Sequence, residues 1–238
     1  MGIHVHLSET RSETETIRQR YDKTSAEYLR DLGVFDYPTL AVHCVHLTEE
    51  DMDILLSDKD KIQPTFLLRY GVSVAYNPQS NMKLASGIAP VARMIGRGLT
   101  VGIGTDGPCS NNDLDMWDEM RTASLLQKVA TGDASVLPAY ETLRMATVGG
   151  ARAIGMEGEL GVIAPGARAD LILVDMGGPH WAPGNDPIAG LVYNAKSTDV
   201  DTVLVDGRIL VEHGELVGTD TAALAREAGR RVEQIERR

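Results

Sequence analysis

Apolar and polar positions follow two rhythms along this chain, and the switch between them predicts its elements. Ile3, Val5 and Leu7 alternate with His4 and His6, the period of two that gives a half-buried strand its two faces. Over residues 12–32, Ile17, Tyr21, Tyr28 and Leu29 fall at helix-like intervals among charges, and Gly33 supplies a stop, so one helix or two short ones follow. Residues 40–47 form a continuous apolar run holding His43 and His46, suited to a parallel strand buried on both faces. Thr48, with Glu50 and Asp51 behind it, opens an amphipathic helix through Leu56. Residues 71–76 read as a third strand ending in the turn-prone Asn77-Pro78-Gln79-Ser80-Asn81, with an apolar helix near 88–95. Residues 99–106 read as a fourth strand, and residues 116–127 as its helix.

Four strand-then-helix units in succession predict a parallel sheet with right-handed crossovers. In each unit the polar residues gather at the carboxyl end of the strand, where a (β/α) barrel builds its active site. In the fourth strand Gly102, Gly104 and Asp106 share a face opposite Val101, Ile103 and Thr105, so the glycines leave room on the aspartate's side. After Pro138 a further helix runs to about residue 154, and then the texture changes. Residues 159–175 read as strand, Pro165-Gly166 turn, strand, and residues 200–211 as a second hairpin around Asp206-Gly207. A charged, Ala-rich helix from Thr221 to about Glu236 closes the chain. The expected organisation is a (β/α) unit over 1–155, a small antiparallel β segment over 156–218 and a terminal helix over 219–238.

Composition narrows the partners. The 238 residues, 43% hydrophobic, are enough for a packed core. With 34 acids against 23 scattered Lys and Arg, a net charge of −11 argues against nucleic acid polymers and anionic membranes. No apolar run approaches the roughly 20 residues that span a bilayer, and no charged-then-apolar leader opens the chain, which predicts a cytoplasmic location. Cys44 and Cys109, outside any CxxC spacing, read as buried free thiols.

The chemistry is expected around His4, His6 and Glu9. A neutral imidazole is a common zinc ligand, and a carboxylate beside it can move protons. Taken alone, however, this stretch is better explained by two histidines that only pack or hydrogen-bond.

Four separated blocks change that balance. Residues 6–10 (HLSET), 41–47 (AVHCVHL), 77–91 (NPQSNMKLASGIAPV) and 104–112 (GTDGPCSNN) resemble, in the same order, the second half of amidohydrolase-superfamily deaminases. Among these the 5′-methylthioadenosine/S-adenosylhomocysteine deaminases are the nearest likeness. The segment from Gly161 (GVIAPGARADLI) is similar to that superfamily's return to a small β-sandwich. The resemblance implies an α/β fold, about half of a (β/α)8 TIM-type barrel covering strands five to eight, then the antiparallel sandwich region and the C-terminal helix.

It also implies roles. His6, ending the fifth barrel strand, and Asp106, ending the eighth, would hold a metal: zinc, or alternatively Fe2+ or another divalent ion. Glu9 would protonate a purine ring nitrogen, His46 would hold and help deprotonate the attacking water, and an adenine nucleoside would lose ammonia. The catalytic set is then Glu9, His46 and Asp106. His4 reads instead as a packed imidazole deeper in the barrel. His43 reads as structural, because three residues of extended chain put it opposite His46. His180 and His213 read as surface or loop residues, Asn77, Ser80 and Asn81 as a turn that could line the pocket, and Cys109 as a small filler.

A complete enzyme of the resembled type carries an upstream segment, strands one to four, and a first-strand His-x-His pair with two more ligands. His4-Val5-His6 is not that pair, since only about 95 residues lie between it and the Asp106 strand, too few for six intervening units. Two protein ligands fall short of the usual three, so the chain alone is expected to bind metal weakly. A half-barrel leaves sheet edges and an apolar face uncovered, which predicts a complementing N-terminal half or a second copy, or else a truncated gene product. Two other readings compete: a guanine, oxoguanine or triazine-type hydrolase, and a catalytically inactive half-barrel that serves for binding or assembly.

Overall fold

A computed structural model describes residues 2–57 and 71–236, which divide into two units. The first comprises residues up to Ala167 together with His180–Ser197. Its elements are β1 (Ile3–Leu7), α1 (Arg11–Tyr21), α2 (Ser25–Asp31), β2 (Thr39–His43), α3 (Glu49–Ser57), β3 (Val72–Tyr76), α4 (Pro78–Lys83), α5 (Val91–Gly96), β4 (Thr100–Ile103), α6 (Met116–Thr131), α7 (Ala139–Arg144), α8 (Gly150–Ala153) and α9 (Pro187–Tyr193). The four strands pair in the order β1-β2-β3-β4, every pair parallel. That is the arrangement the alternating sequence rhythm predicts, since a parallel neighbour needs an intervening crossover.

Local chemistry sets the helix starts. Thr10 caps α1 by accepting the Glu13 amide, and Thr24 with Glu27 forms a reciprocal capping box on α2. Thr48 and Asp51 exchange the same pair of bonds ahead of α3. Helices α3, α5 and α6 cover one side of the sheet, where Leu7, Ala41, Val72, Val74, Tyr76 and Val101 pack with Met52, Leu55, Val91, Met94 and Ala123, while α8 lies against Gly102 on the other. Leu55 is fully buried there, so Leu55→Ala is expected to cost about 2–5 kcal/mol. Its urea midpoint measures that cost, and a shift worth less than about 1 kcal/mol would show that the core collapses around the cavity.

Several boundaries differ from the sequence expectation. β2 stops at His43, because His43 (φ 71°) and Cys44 (φ 53°) turn into the left-handed region and end the extended run. The Asn77-Pro78 turn starts α4, with Pro78 in the first turn, where a missing amide proton costs nothing. Residues 139–153 are helical throughout, with a π-helical turn over Met145–Gly149 between α7 and α8. The helix α9 was not expected. It is capped by Asp186, packed through Gly190 on Trp181, and tied to α6 by a Ser124–Tyr193 hydroxyl pair 2.7 Å apart. Cys44 is buried as expected, whereas Cys109 is exposed.

The second unit, Arg168–Pro179 with residues from Thr198 on, holds an antiparallel sheet β5 (Leu171–Val174), β6 (Val200–Val205), β7 (Arg208–Glu212) and β8 (Glu215–Leu216), followed by α10 (Thr221–Glu236). Asp206 and Gly207 both take positive φ, as a two-residue turn between β6 and β7 requires. The expected strand before Pro165 does not form: residues 161–167 hold no strand, Ile163 is solvent-exposed, and β5 finds its partner in β6. Among the described residues no helix is long and apolar enough to cross a membrane.

Candidate metal centre

The carboxyl ends of β1, β2 and β4 converge. Each parallel strand delivers its terminal polar residue to the same edge of the sheet, and there His6, His43 and Asp106 place one ligand atom each within 4.8 Å of one another. The His6 and His43 rings meet edge-on at 4.8 Å. His43 Nε2 lies 3.9 Å from Asp106 Oδ2 and 3.8 Å from Glu9 Oε2, and His6 Nδ1 lies 3.9 Å from the same Glu9 oxygen. Donors about 2.1 Å from one tetrahedral zinc sit about 3.4 Å apart, so a spread of up to 4.8 Å has to close by about 1.4 Å around a bound ion.

Each member is held from behind. Glu13 accepts the Ser8 and Glu9 amides at 2.9 Å each, which fixes the backbone where β1 becomes α1 and aims Glu9 at the histidines. Asp106, in left-handed conformation at φ 62°, accepts from the Ser80 and Ser110 hydroxyls at 2.6 Å and from the Gly107 amide at 2.8 Å. Burial pushes its carboxyl upward, but those three bonds and the nearby His43 together outweigh burial and hold it below the usual carboxylate range. Asn81 Oδ1 faces His43 Nδ1 at 2.8 Å, so Nδ1 carries the proton and Nε2 presents its lone pair. That Nε2 is buried and has no hydrogen-bond partner among the described residues. A buried acceptor left open is costly, and here it points at two carboxylates, an arrangement a cation or a bound water relieves. A histidine nitrogen and a carboxylate facing a second, open imidazole nitrogen are groups that suit zinc and its bound water, so the residues present fit a divalent metal.

The room expected beneath Asp106 is filled from the chain itself. A Cβ at Gly102 would come within 3.0 Å of Gly150 Cα in α8, and one at Gly104 within 2.6 Å of Asn77 Oδ1. A cavity of about 440 Å3 remains over the sheet, bordered by His4, His6, Asn77, Asp106 and Ile154 among others. His4 is exposed along it and is not packed.

Thus His6, Glu9 and Asp106 come together as the sequence suggested, and His43 joins them. The parity argument that set His43 aside assumes extended chain from His43 to His46, and the left-handed pair at 43–44 removes that premise. His46 is engaged elsewhere. Its Nε2 donates to the Ser86 carbonyl at 2.8 Å, and its link to Glu9 runs through the Ser86 hydroxyl, 3.4 Å from Glu9 Oε1. His180 adjoins Trp181, and His213 is exposed and pairs with Asp201 at 3.1 Å. Composition gave no sign of Glu119, which is fully buried in α6 behind the centre.

Glu119 carries a pH prediction. Burial pushes its carboxyl up to about 7 from an ordinary 4.5; bonds from the Gln79 amide and the Asn111 side chain pull the other way, and Asp113 and Asp118 add to the rise. The folded state therefore holds this proton more tightly than the unfolded chain. The stability so contributed is complete below about pH 4.5 and is lost as pH rises through about 7. Urea unfolding between those limits should show that downward slope, and Glu119→Gln should flatten it; equal slopes in both proteins would contradict the assignment.

Comparison with known proteins places this geometry. The amidohydrolase family profile matches residues 1–210. A 5-methylthioadenosine/S-adenosylhomocysteine deaminase from Pelotomaculum thermopropionicum is 49% identical over 237 residues, covering 100% of this chain and 52% of the relative. One of the same description from Moorella thermoacetica is 49% identical over 232 residues, covering 98% and 51%. Among solved structures, an adenosine deaminase from Xanthomonas campestris with bound zinc superposes with a TM-score of 0.91 at 36% identity, covering 100% of this chain and 52% of that one. Zinc-complexed atrazine chlorohydrolase from Arthrobacter aurescens gives 0.83 at 26% identity, covering 96% and 48%. The chain spans about half the length of the curated relatives it matches. With the profile matched along 1–210, and strands that carry their polar residues to one shared edge, this chain belongs to the amidohydrolase family.

Proposed function

We propose that the chain forms one side of the active site of a zinc-dependent deaminase, on a partial (β/α)8 barrel, acting on adenine nucleosides of the 5-methylthioadenosine or S-adenosylhomocysteine kind. The observation that carries the reading is the buried His43 Nε2, which has no hydrogen-bond partner among the described residues and is set within 4 Å of both Glu9 and Asp106. The name shared by relatives 49% identical favours an adenine nucleoside over a triazine, for which the likeness is 26%.

In this reading His6 and Asp106 hold the ion. Zinc supplies a positive charge that acidifies water and polarises the ring. His43, its Nδ1–H anchored on Asn81, takes a proton from the attacking water on Nε2, in place of His46. Glu9 delivers a proton to the ring nitrogen beside the carbon that bears the amine. Water's oxygen bonds to that carbon, His43 passes the proton it took to the amine, the carbon–nitrogen bond breaks as ammonia leaves, and the remaining hydroxyl proton returns to Glu9, with a hypoxanthine nucleoside left behind. The remaining metal ligands would come from residues outside these 238, on the same polypeptide or on another.

Co-expression with the first half of the Pelotomaculum thermopropionicum relative tests this. The assembly should bind zinc stoichiometrically, release ammonia from 5′-methylthioadenosine or S-adenosylhomocysteine, and show the spectral change from adenine to hypoxanthine. Stoichiometric zinc without ammonia from either nucleoside would sink the substrate assignment, and turnover of guanine or a triazine instead would replace it.

A further inference from the structure

The loop that presents Asp106 and the α4 turn that supports His43 share one anchor, and it lies outside the centre itself. Glu119 is fully buried on α6. Its Oε2 accepts the backbone amide of Gln79 at 3.2 Å, in the first turn of α4. Its Oε1 accepts from Asn111 Nδ2 at 2.5 Å, and the same Asn111 nitrogen also reaches the Thr105 carbonyl at 3.0 Å. Ser80 and Asn81 follow Gln79 in the chain, and they hold Asp106 and His43 respectively. Thr105 immediately precedes Asp106. A single carboxylate thus fastens both the α4 turn and the 105–111 loop to one rigid helix.

We infer that Glu119 is a positioning residue, which sets the separation of Asp106 and His43 by tying their two supporting loops to α6. Both bonds need an acceptor. Glutamine offers one acceptor and one donor, so Glu119→Gln either leaves the Gln79 amide without its acceptor or cuts Asn111 Nδ2 back to the Thr105 carbonyl alone, in a buried site. Retaining a carboxylate there at the expense of its desolvation indicates that its geometry is used. The purpose of the device rests on reading Asp106 and His43 as metal-centre groups, but its existence does not. The test is therefore made on the metal-free chain, where either reading can fail without the other.

Hydrogen exchange of the purified 238-residue chain gives the first readout. Glu119→Gln should speed exchange at least tenfold in residues 78–84 and 105–111 while β2 and β3 stay protected. Asn111→Ala should loosen 105–111 alone. The second readout is the nitrogen-15 signature of the His43 ring: its Nδ1–H form should become mixed in Glu119→Gln, yet stay intact in Met94→Ala, a core truncation that lowers stability elsewhere. Unchanged exchange in both loops, or equal acceleration in β2 and β3, would overturn the inference. So would an unmixed His43 signal in a folded Glu119→Gln protein. If Glu119→Gln does not fold, Asn111→Ala decides: acceleration confined to 105–111 upholds the tie, and uniform or absent change overturns it.

Discussion

Asp106→Asn should lower the zinc affinity of the chain by more than the ~10–100-fold that removing an outer partner of a metal ligand causes. Asparagine keeps the size and planarity of the side chain, and the Ser80 and Ser110 hydroxyls can turn to accept from its amide, so the loop should keep its shape. What is lost is the negative charge facing His6 and His43, the only carboxylate in that three-residue cluster. Competition against a fluorescent zinc chelator measures the change. Ser110→Ala provides the comparison, because it removes one of three bonds to Asp106 and leaves the charge. It should fall inside the ~10–100-fold range. Equal losses in the two variants would mean that the carboxylate is not itself a ligand.

Glu9→Gln should leave zinc binding nearly intact while cutting ammonia release in the complemented assembly by about 10²–10⁴-fold, the usual worth of a positioned proton donor. Glu9 is held by the Glu13 clamp on its backbone and by Ser86 at its side chain, neither of which depends on its charge. Its Oε2 lies 3.9 Å from His6 and 3.8 Å from His43, beside the cluster. A glutamine there preserves shape and removes the acid's transferable proton together with the charge of its conjugate base. A loss in kcat with little change in KM fits that role; a loss confined to zinc content would make Glu9 a ligand instead.

How much of this could be read from residues alone differs from place to place, for physical reasons. The period-two pattern at Ile3, Val5 and Leu7 and the apolar runs of β2, β3 and β4 gave the parallel sheet, because strand burial is written directly into side-chain order. His6, Glu9 and Asp106 were recognisable through the family's motifs. His43 was misplaced because face parity holds only in extended chain, and nothing in Val42-His43-Cys44 announces two successive left-handed residues. The α4 turn was hidden by an Asn-Pro pair that begins loops as often as helices. Two features did carry a signal. Asp186 followed by Pro187 is a helix start, as α9 shows. Glu119, Ala123 and Gln127 recur every fourth residue on the buried face of α6, so the periodicity itself marks a carboxylate facing inward.

Diffraction from zinc-soaked crystals, recorded on either side of the zinc absorption edge, tests the central claim most directly. The account predicts an anomalous peak within about 2.3 Å of a His6 ring nitrogen and of an Asp106 oxygen, with His43 Nε2 facing the same site. A peak bound by other residues, or none at saturating zinc, would contradict it.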